Sequence, residues 1–509
     1  MKTNNMLNII TLMALSLTAA SCSDDSYTAP VIDLDATDTY YAAAETAGQS
    51  IYYKPAVGYV GDTMPFYDPK AGDFKILYLQ DFRPNQAYTY HPIWGVSTKD
   101  GSSYTSLGEL VPCGNAAELD AALGTGCTFY HDGTYYTYYT AHSANPANTG
   151  GINEAVMLAT STDFKTWTKE RDFLISGGDE YSNTDFRDPF VFEGDDHLFH
   201  MVVSTRSNGK GVLAEYTSTD LRKWESKGIF MTMMWDRFYE CPDIFKMGDW
   251  WYLVYSEQHD AVRRVQYFKG HTLDDLKACT ANDAGLWPDS HEGFLDSRGL
   301  YAGNTASDGN NRYLWGWCAS KAGNSNTDIA DWGGTLMAHR LIQHEDGTLT
   351  LGELPSLQQL FGNGKQYDGF SLGQDEHHLF PRLGYMNRIS FTVTLKNADD
   401  KFGVSFARGS DSENFYSLIV NPEGDGHRKI NFEEEGGIGF IPDTDGYVFD
   451  QPADGKYNIT IVTDNSTVTM YVNDVAAQTT RIYGTPRNPW SINCYSGQIE
   501  ISNINISTK

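Results

Sequence analysis

Thr160-Ser161-Thr162-Asp163-Phe164-Lys165-Thr166-Trp167 returns as Thr217-Ser218-Thr219-Asp220-Leu221-Arg222-Lys223-Trp224, 57 residues on from Asp163 to Asp220. Ser97-Thr98-Lys99-Asp100 and His271-Thr272-Leu273-Asp274-Asp275-Leu276 are weaker copies. Between the copies lie short aromatic and β-branched runs: Phe74–Leu79, Tyr135–Tyr139, His197–Val203 and Trp250–Tyr255. Each follows a Gly/Asp turn signal, at Gly72-Asp73, Asp132-Gly133, Gly194-Asp195 and Gly248-Asp249. Several short strands per unit, repeated at this period, indicate propeller blades. Long segments of 3.6-residue periodicity are missing, so helical repeats are excluded. Roughly five units fit the space. The reading is all-β: a five-bladed β-propeller over 46–360, a connector at 361–370, and a β-sandwich over 371–509. The sandwich rests on alternating runs such as Arg388–Leu395, Tyr457–Thr463 and Val468–Val472.

The 509 residues carry 37 Lys+Arg against 66 Asp+Glu, a net charge of −29. A surface this acidic repels polyanions, so nucleic acid and anionic lipid are excluded as electrostatic partners. Aromatic residues make up 13% of the chain, far too many for a disordered acidic protein. Aromatic faces and carboxylates together suit neutral polar ligands such as sugars.

Met6 to Ala20 is an apolar run of leader length, too short to span a bilayer. It leads into Leu17-Thr18-Ala19-Ala20-Ser21-Cys22, which resembles a bacterial lipobox. The expectation is a leader over 1–22 with lipid on Cys22, then a polar tether over 23–45. The acidic start Ser23-Asp24-Asp25 resembles the surface-export signal of Bacteroidetes lipoproteins. The protein is therefore expected at the outer membrane, on the cell surface. Its only membrane contact would be the lipid, and glycan-uptake proteins would be its neighbours. Cys113, Cys127, Cys241, Cys279, Cys318 and Cys494 are scattered without a CxxC pair, which argues against zinc and assigns no disulfide.

Three carboxylates stand where blade strands begin. Asp62 lies in the otherwise apolar Val60–Tyr67 run. Asp188 follows Arg187 and precedes Pro189, which favours an extended conformation for it. A carboxylate beside Arg is expected to stay ionised. Glu240 stands among Tyr239, Cys241 and Pro242, apolar surroundings that raise a carboxyl pKa, as a general acid requires.

Phe186-Arg187-Asp188-Pro189 followed by Glu240-Cys241-Pro242-Asp243 resembles the RDP and ECP motifs of glycoside hydrolase family 32. Leu300–Gly303 with Tyr313–Trp317, and Trp332–Leu336 through Asp346–Leu349 to Pro355, extend the resemblance in the right order. It implies a fructan- or sucrose-cleaving enzyme with no metal or organic cofactor and a carbohydrate as its partner. By the same resemblance Asp62 is the nucleophile, Asp188 the transition-state stabiliser and Glu240 the general acid/base of a retaining reaction. Arg187, His91, Trp94, Trp235 and Cys241 are the candidate sugar-binding residues, with blade core the commoner role for the two tryptophans and surface or structural pairing the alternative for His91 and Arg187. Asp443-Thr444-Asp445-Gly446 reads as a turn rather than a calcium loop.

Two segments depart from the family pattern. Tyr59-Val60-Gly61-Asp62-Thr63-Met64-Pro65 replaces WMNDPNG, and Gly126-Cys127-Thr128-Phe129 replaces FSGS. Both belong to the sugar pocket, so the substrate is open to change. Two alternatives remain at this point. One is a catalytically weak propeller that only binds glycan. The other is an inverting arabinosidase or xylosidase of the related family 43. The sandwich either braces the propeller or binds sugar itself.

Overall fold

A computed structural model describes residues 51–82, 91–143, 145–233, 237–257, 264–279, 293–321, 323–326, 330–407, 415–435, 443–486 and 488–509. The leader, Cys22, the tether and Trp235 lie outside the described residues.

Five antiparallel blades follow one another. The first is β1 (Tyr59–Asp68), β2 (Asp73–Asp81), β3 (Ile93–Thr98) and β4 (Thr105–Val111). The second is β5 (Ala122–His131), β6 (Thr134–His142), β7 (Glu154–Ser161) and β8 (Thr168–Lys169). The third is β9 (Phe186–Glu193), β10 (Phe199–Ser207), β11 (Lys210–Ser218) and β12 (Glu225–Thr232). The fourth has β13 (Tyr239–Met247), β14 (Trp250–Glu257) and β15 (Val265–Gly270), then a short helix α1 (Leu273–Ala278). The fifth is β16 (Leu300–Ser307), β17 (Arg312–Lys321), β18 (Ala330–Gln343) and β19 (Leu349–Gly352). The first strands of the blades, β1, β5, β9, β13 and β16, pack side by side around the axis. Val60 pairs with Gly334, and the Leu336 amide donates to the Tyr53 carbonyl at 2.8 Å, so the segment leading into the first blade joins the last blade.

The repeated motif is a turn built by its own side chains. Ser161 Oγ accepts from the amides of Asp163 and Phe164, and Asp163 Oδ1 accepts from those of Lys165 and Thr166. Ser218 and Asp220 do the same, as do Thr98 and Asp100. The Thr166 and Lys165 amides hold the Asp163 carboxyl down at about 2. Phe164, Leu221 and Gly101 take the same left-handed φ, 59°, 60° and 73°. At the fourth copy the chemistry is spent differently. Thr272 and Asp275 exchange side-chain and backbone bonds as the capping box of α1.

After a short helix α2 (Pro355–Phe361) comes the sandwich. One sheet is ordered Lys365–Tyr367, Gln498–Thr508, Met386–Leu395, Lys456–Asp464, Thr467–Val472, Ala476–Arg481, with Phe370–Gly373 also on Gln498–Thr508. The other is ordered His377–Phe380, Trp490–Ser496, Lys401–Phe406, Phe415–Gly424, His427–Glu435, Asp443–Asp450. The stretch read as a connector thus already holds the first strands of the sandwich. Alternate residues Ile389, Phe391 and Val393 face Val404, Leu418 and Ile492 across the core, as period-two strands require. Asp443–Asp450 is strand rather than an isolated turn.

The two domains share one apolar cluster, in which Val462, Tyr471 and Ala477 meet Leu300, Trp315 and Leu336. Polar bonds frame it. Arg481 donates to the carbonyls of Cys318 and Ala319 and to Thr335, and Asp464 Oδ2 accepts from the amides of Ile51 and Tyr52. The sandwich therefore braces the propeller's last blade and the Ile51–Tyr52 segment ahead of the first. Among the described residues no disulfide joins any of the six cysteines from Cys113 to Cys494.

Candidate active site

A β-bulge recurs in every inner strand at the same level. The register slips between Val60 and Thr63, Gly124 and Gly126, Arg187 and Phe190, Glu240 and Asp243, and Tyr301 and Asn304. A bulge puts two residues opposite one and re-aims the side chains there. Asp62, Thr125, Asp188, Cys241 and Ala302 occupy these five bulges. Asp188, Cys241 and Ala302 have φ of 56°, 50° and 51°. Each non-glycine residue held there costs about 1–2 kcal/mol, and such strain gathers at functional sites. Asp188 is therefore left-handed rather than extended: the bulge overrides the preference imposed by Pro189.

Hydrogen bonds lace the bulges together around the axis. Thr63 Oγ1 donates to the Ala302 carbonyl, and Thr125 Oγ1 donates to Asp62 Oδ2 at 3.0 Å. Thr140 Oγ1 accepts from the Asp188 amide and donates to the Thr125 carbonyl. The Cys241 amide donates to Asp188 Oδ2 at 2.9 Å, and Asn304 donates to the Cys241 carbonyl. The ring places three carboxylates from three blades at one site. The charges of Glu240 and Asp62 both act on Asp188.

Asp62 is held at both oxygens, by Thr125 at Oδ2 and by the Trp317 indole at Oδ1, 2.9 Å away. Glu240 is gripped by Arg187 at Oε1, 3.3 Å away, and by the Tyr301 hydroxyl at Oε2. Its carboxylate therefore has a cation and a phenol as neighbours, not the apolar setting suggested by Tyr239 and Pro242. Arg187 lies over the Phe238 ring at 4.1 Å and also binds Glu154 and Asp185. It is a positioning cation shared among three carboxylates. Burial overturns the expectation for Asp188. Burial pushes its carboxyl up to about 8, and Arg187 only partly opposes this. Near neutral pH it is mostly a neutral acid.

The remaining sugar-binding candidates divide. His91 stacks on Trp332 with ring centroids 4.5 Å apart, and Trp332 meets Trp317 at 6.1 Å. Those rings form one wall beside Asp62. Trp94 is on β3, packed edge-on to Phe82, and none of its described contacts is with the three carboxylates. The Cys241 thiol is buried and points at Thr125 Oγ1, so its visible contribution is the backbone amide that holds Asp188. Sequence reasoning did not nominate Thr125, Tyr301, Trp317 or Trp332. Tyr301 and Trp317 stood inside quoted motifs, but nothing in their local sequence says that they reach Glu240 and Asp62.

A five-bladed propeller with carboxylates converging from three inner strands, braced by a sandwich, is the architecture of a propeller glycosidase. The chain belongs to glycosyl hydrolases family 32: the model of that family's N-terminal domain matches residues 53–354. The model described as "GH32, BT1760-like, C-terminal domain" matches residues 347–506. The chain is 25% identical over 305 residues to a sucrose-6-phosphate hydrolase of Vibrio alginolyticus, covering 58% of each. It is 27% identical over 269 residues to an insoluble beta-fructofuranosidase isoenzyme of Arabidopsis thaliana, covering 48% of this chain and 45% of the relative. The matches thus span about half the length of these relatives. Among solved structures, fructan 1-exohydrolase IIa of Cichorium intybus superposes with a TM-score of 0.74 at 14% identity, over 90% of this chain and 96% of that one. Sucrose-6-phosphate hydrolase of Lactobacillus gasseri gives a TM-score of 0.70 at 18% identity, over 94% and 96%. At these identities the likeness is one of fold.

Proposed function

We propose that the protein hydrolyses β-linked fructose-containing oligo- or polysaccharides with retention of anomeric configuration. The observation that carries this is the pairing of Asp62, fixed by Thr125 and Trp317, with Glu240, fixed by Arg187 and Tyr301, across one bulge ring. In the first step an Asp62 oxygen attacks the anomeric carbon. Glu240 gives its proton to the glycosidic oxygen, and the bond to the leaving sugar breaks. In the second step Glu240 takes a proton from water, the hydroxide oxygen bonds to the anomeric carbon, and Asp62 leaves as carboxylate. Asp188, neutral near pH 7, donates a hydrogen bond to a ring hydroxyl, and the Cys241 amide keeps it from turning away. Trp332, half-buried and backed by the buried Trp317, offers an aromatic face to the sugar's apolar side. The relatives' names, sucrose-6-phosphate hydrolase and beta-fructofuranosidase, support a fructosyl substrate.

The test is incubation of the purified protein with levan, inulin, sucrose and arabinan, followed by analysis of released sugars. Release of fructose units from at least one of the first three is expected. Cleavage of arabinan alone would refute the substrate class. The leader and acidic tether further support a lipid-anchored enzyme at the bacterial cell surface, working beside glycan-uptake proteins.

A further inference from the structure

Beyond the bulge level, the inner strands continue to the other end of the axis. There an open cleft of about 270 Å³ lies among Phe129 of β5, Phe190 and Phe192 of β9, Asp243 and Phe245 of β13, and Arg312 of β17. None of Asp62, Asp188 and Glu240 lines it. Its volume is close to the lower end for small-molecule pockets, about 300 Å³. Asp243 is 1% exposed, and Thr305 occupies only one of its oxygens, donating to Oδ2 from both its amide and its hydroxyl. Oδ1 is buried without a hydrogen-bond partner among the described residues. A buried acceptor left unpaired is a standing penalty that a ligand donor relieves. Arg312 lies across the Phe245 ring at 3.8 Å and gives one bond to Thr305, leaving other guanidinium donors for a ligand.

The mixture of groups selects the ligand. A simple anion would meet the orphan carboxyl, and a simple cation would meet the guanidinium. A neutral polyol offers a hydroxyl donor to Asp243, hydroxyl acceptors to Arg312 and C–H faces to the phenylalanines. We propose that this cleft is a second carbohydrate-binding site, which holds a fructosyl oligosaccharide at the opposite mouth of the propeller from the reaction. It rests on the proposed substrate class and adds a non-catalytic hold on a chain being cut elsewhere.

The test uses the full chain carrying Glu240→Gln and counts sites by calorimetric titration with short β-2,1- and β-2,6-linked fructo-oligosaccharides. Two sites per chain are expected. Adding Asp243→Asn keeps an acceptor for Thr305 but turns the orphan acceptor into a donor; it should weaken one site about tenfold or more. Phe190→Ala, in a half-buried wall residue, should do the same and stands in if the first variant does not fold. One site or none in the Glu240→Gln chain, or two sites that survive the substitutions, would overturn the proposal. Hydrolysis is read separately in the unsubstituted chain. Cleavage with a single site refutes the cleft alone, and two sites without cleavage refute the reaction alone.

Discussion

Asp188→Asn separates the two things the bulge does to this residue. Asparagine is among the few residues that accept φ near 56° readily, and its amide oxygen can still take the Cys241 amide. The variant should fold, and it removes only the ionisable group. In the native state burial pushes Asp188 up to about 8, whereas an unfolded aspartate titrates near 3.9. The sign follows from linkage. A raised native pKa means that the native state keeps a proton the unfolded state has lost. The contribution to stability is full below pH ~4 and is lost as pH rises towards ~8. Between these limits the wild type loses about 1.4 kcal/mol per pH unit relative to a variant that cannot ionise. From pH 5 to pH 7 that amounts to about 2.5 kcal/mol, an upper bound because Arg187 and Glu240 respond to the same charge. Urea unfolding of both chains at pH 5, 6 and 7 reads the difference directly, since every other carboxylate is common to both. The variant should gain on the wild type steadily with pH while losing most of its turnover. A stability difference that stays flat across this range would mean that Asp188 is ionised and that the burial argument is wrong.

Glu240→Gln should lower turnover by about 10²–10⁴-fold in a chain that still folds, because it removes the transferable proton; Arg187 keeps Glu154 and Asp185 as partners when it loses this one. Tyr301→Phe and Trp317→Phe each delete one donor to a reacting carboxylate and should lower kcat about 10–100-fold, the worth of a charge-assisted hydrogen bond. Arg481→Met strips two propeller carbonyls and Thr335 of their donor at the domain boundary and should destabilise by about 3 kcal/mol in urea unfolding, without a comparable change in kcat. Cys22→Ser should abolish incorporation of radiolabelled fatty acid in cells; labelling that persists would refute the anchor.

How much of this was legible depended on how locally each feature is encoded. The Ser/Thr–x–Asp turn is self-contained: its hydroxyl and carboxylate bind amides two or three residues away. Its recurrence therefore announced the blades. The fourth copy shows the limit, since the same residue types at Thr272 and Asp275 close a helix cap instead. Residue type alone leaves Trp94 between sugar platform and blade core, and only the third strand of the blade shows it packed on Phe82. Glu240 read as a carboxyl in an apolar setting because Arg187 and Tyr301 arrive from strands 53 and 61 residues away.

The sequence by itself determined the repeat, the all-β class, the two domains and the three carboxylates, all of which are written in residue type and short-range spacing. Only the tertiary structure decided the charge on Asp188, the grip on Asp62 and Glu240, and the cleft around Asp243. A closed ring of strands brings residues from different blades within hydrogen-bond distance, and the bulges then set which way each side chain turns. Burial, pairing and pKa belong to that enclosure, not to any one stretch of chain.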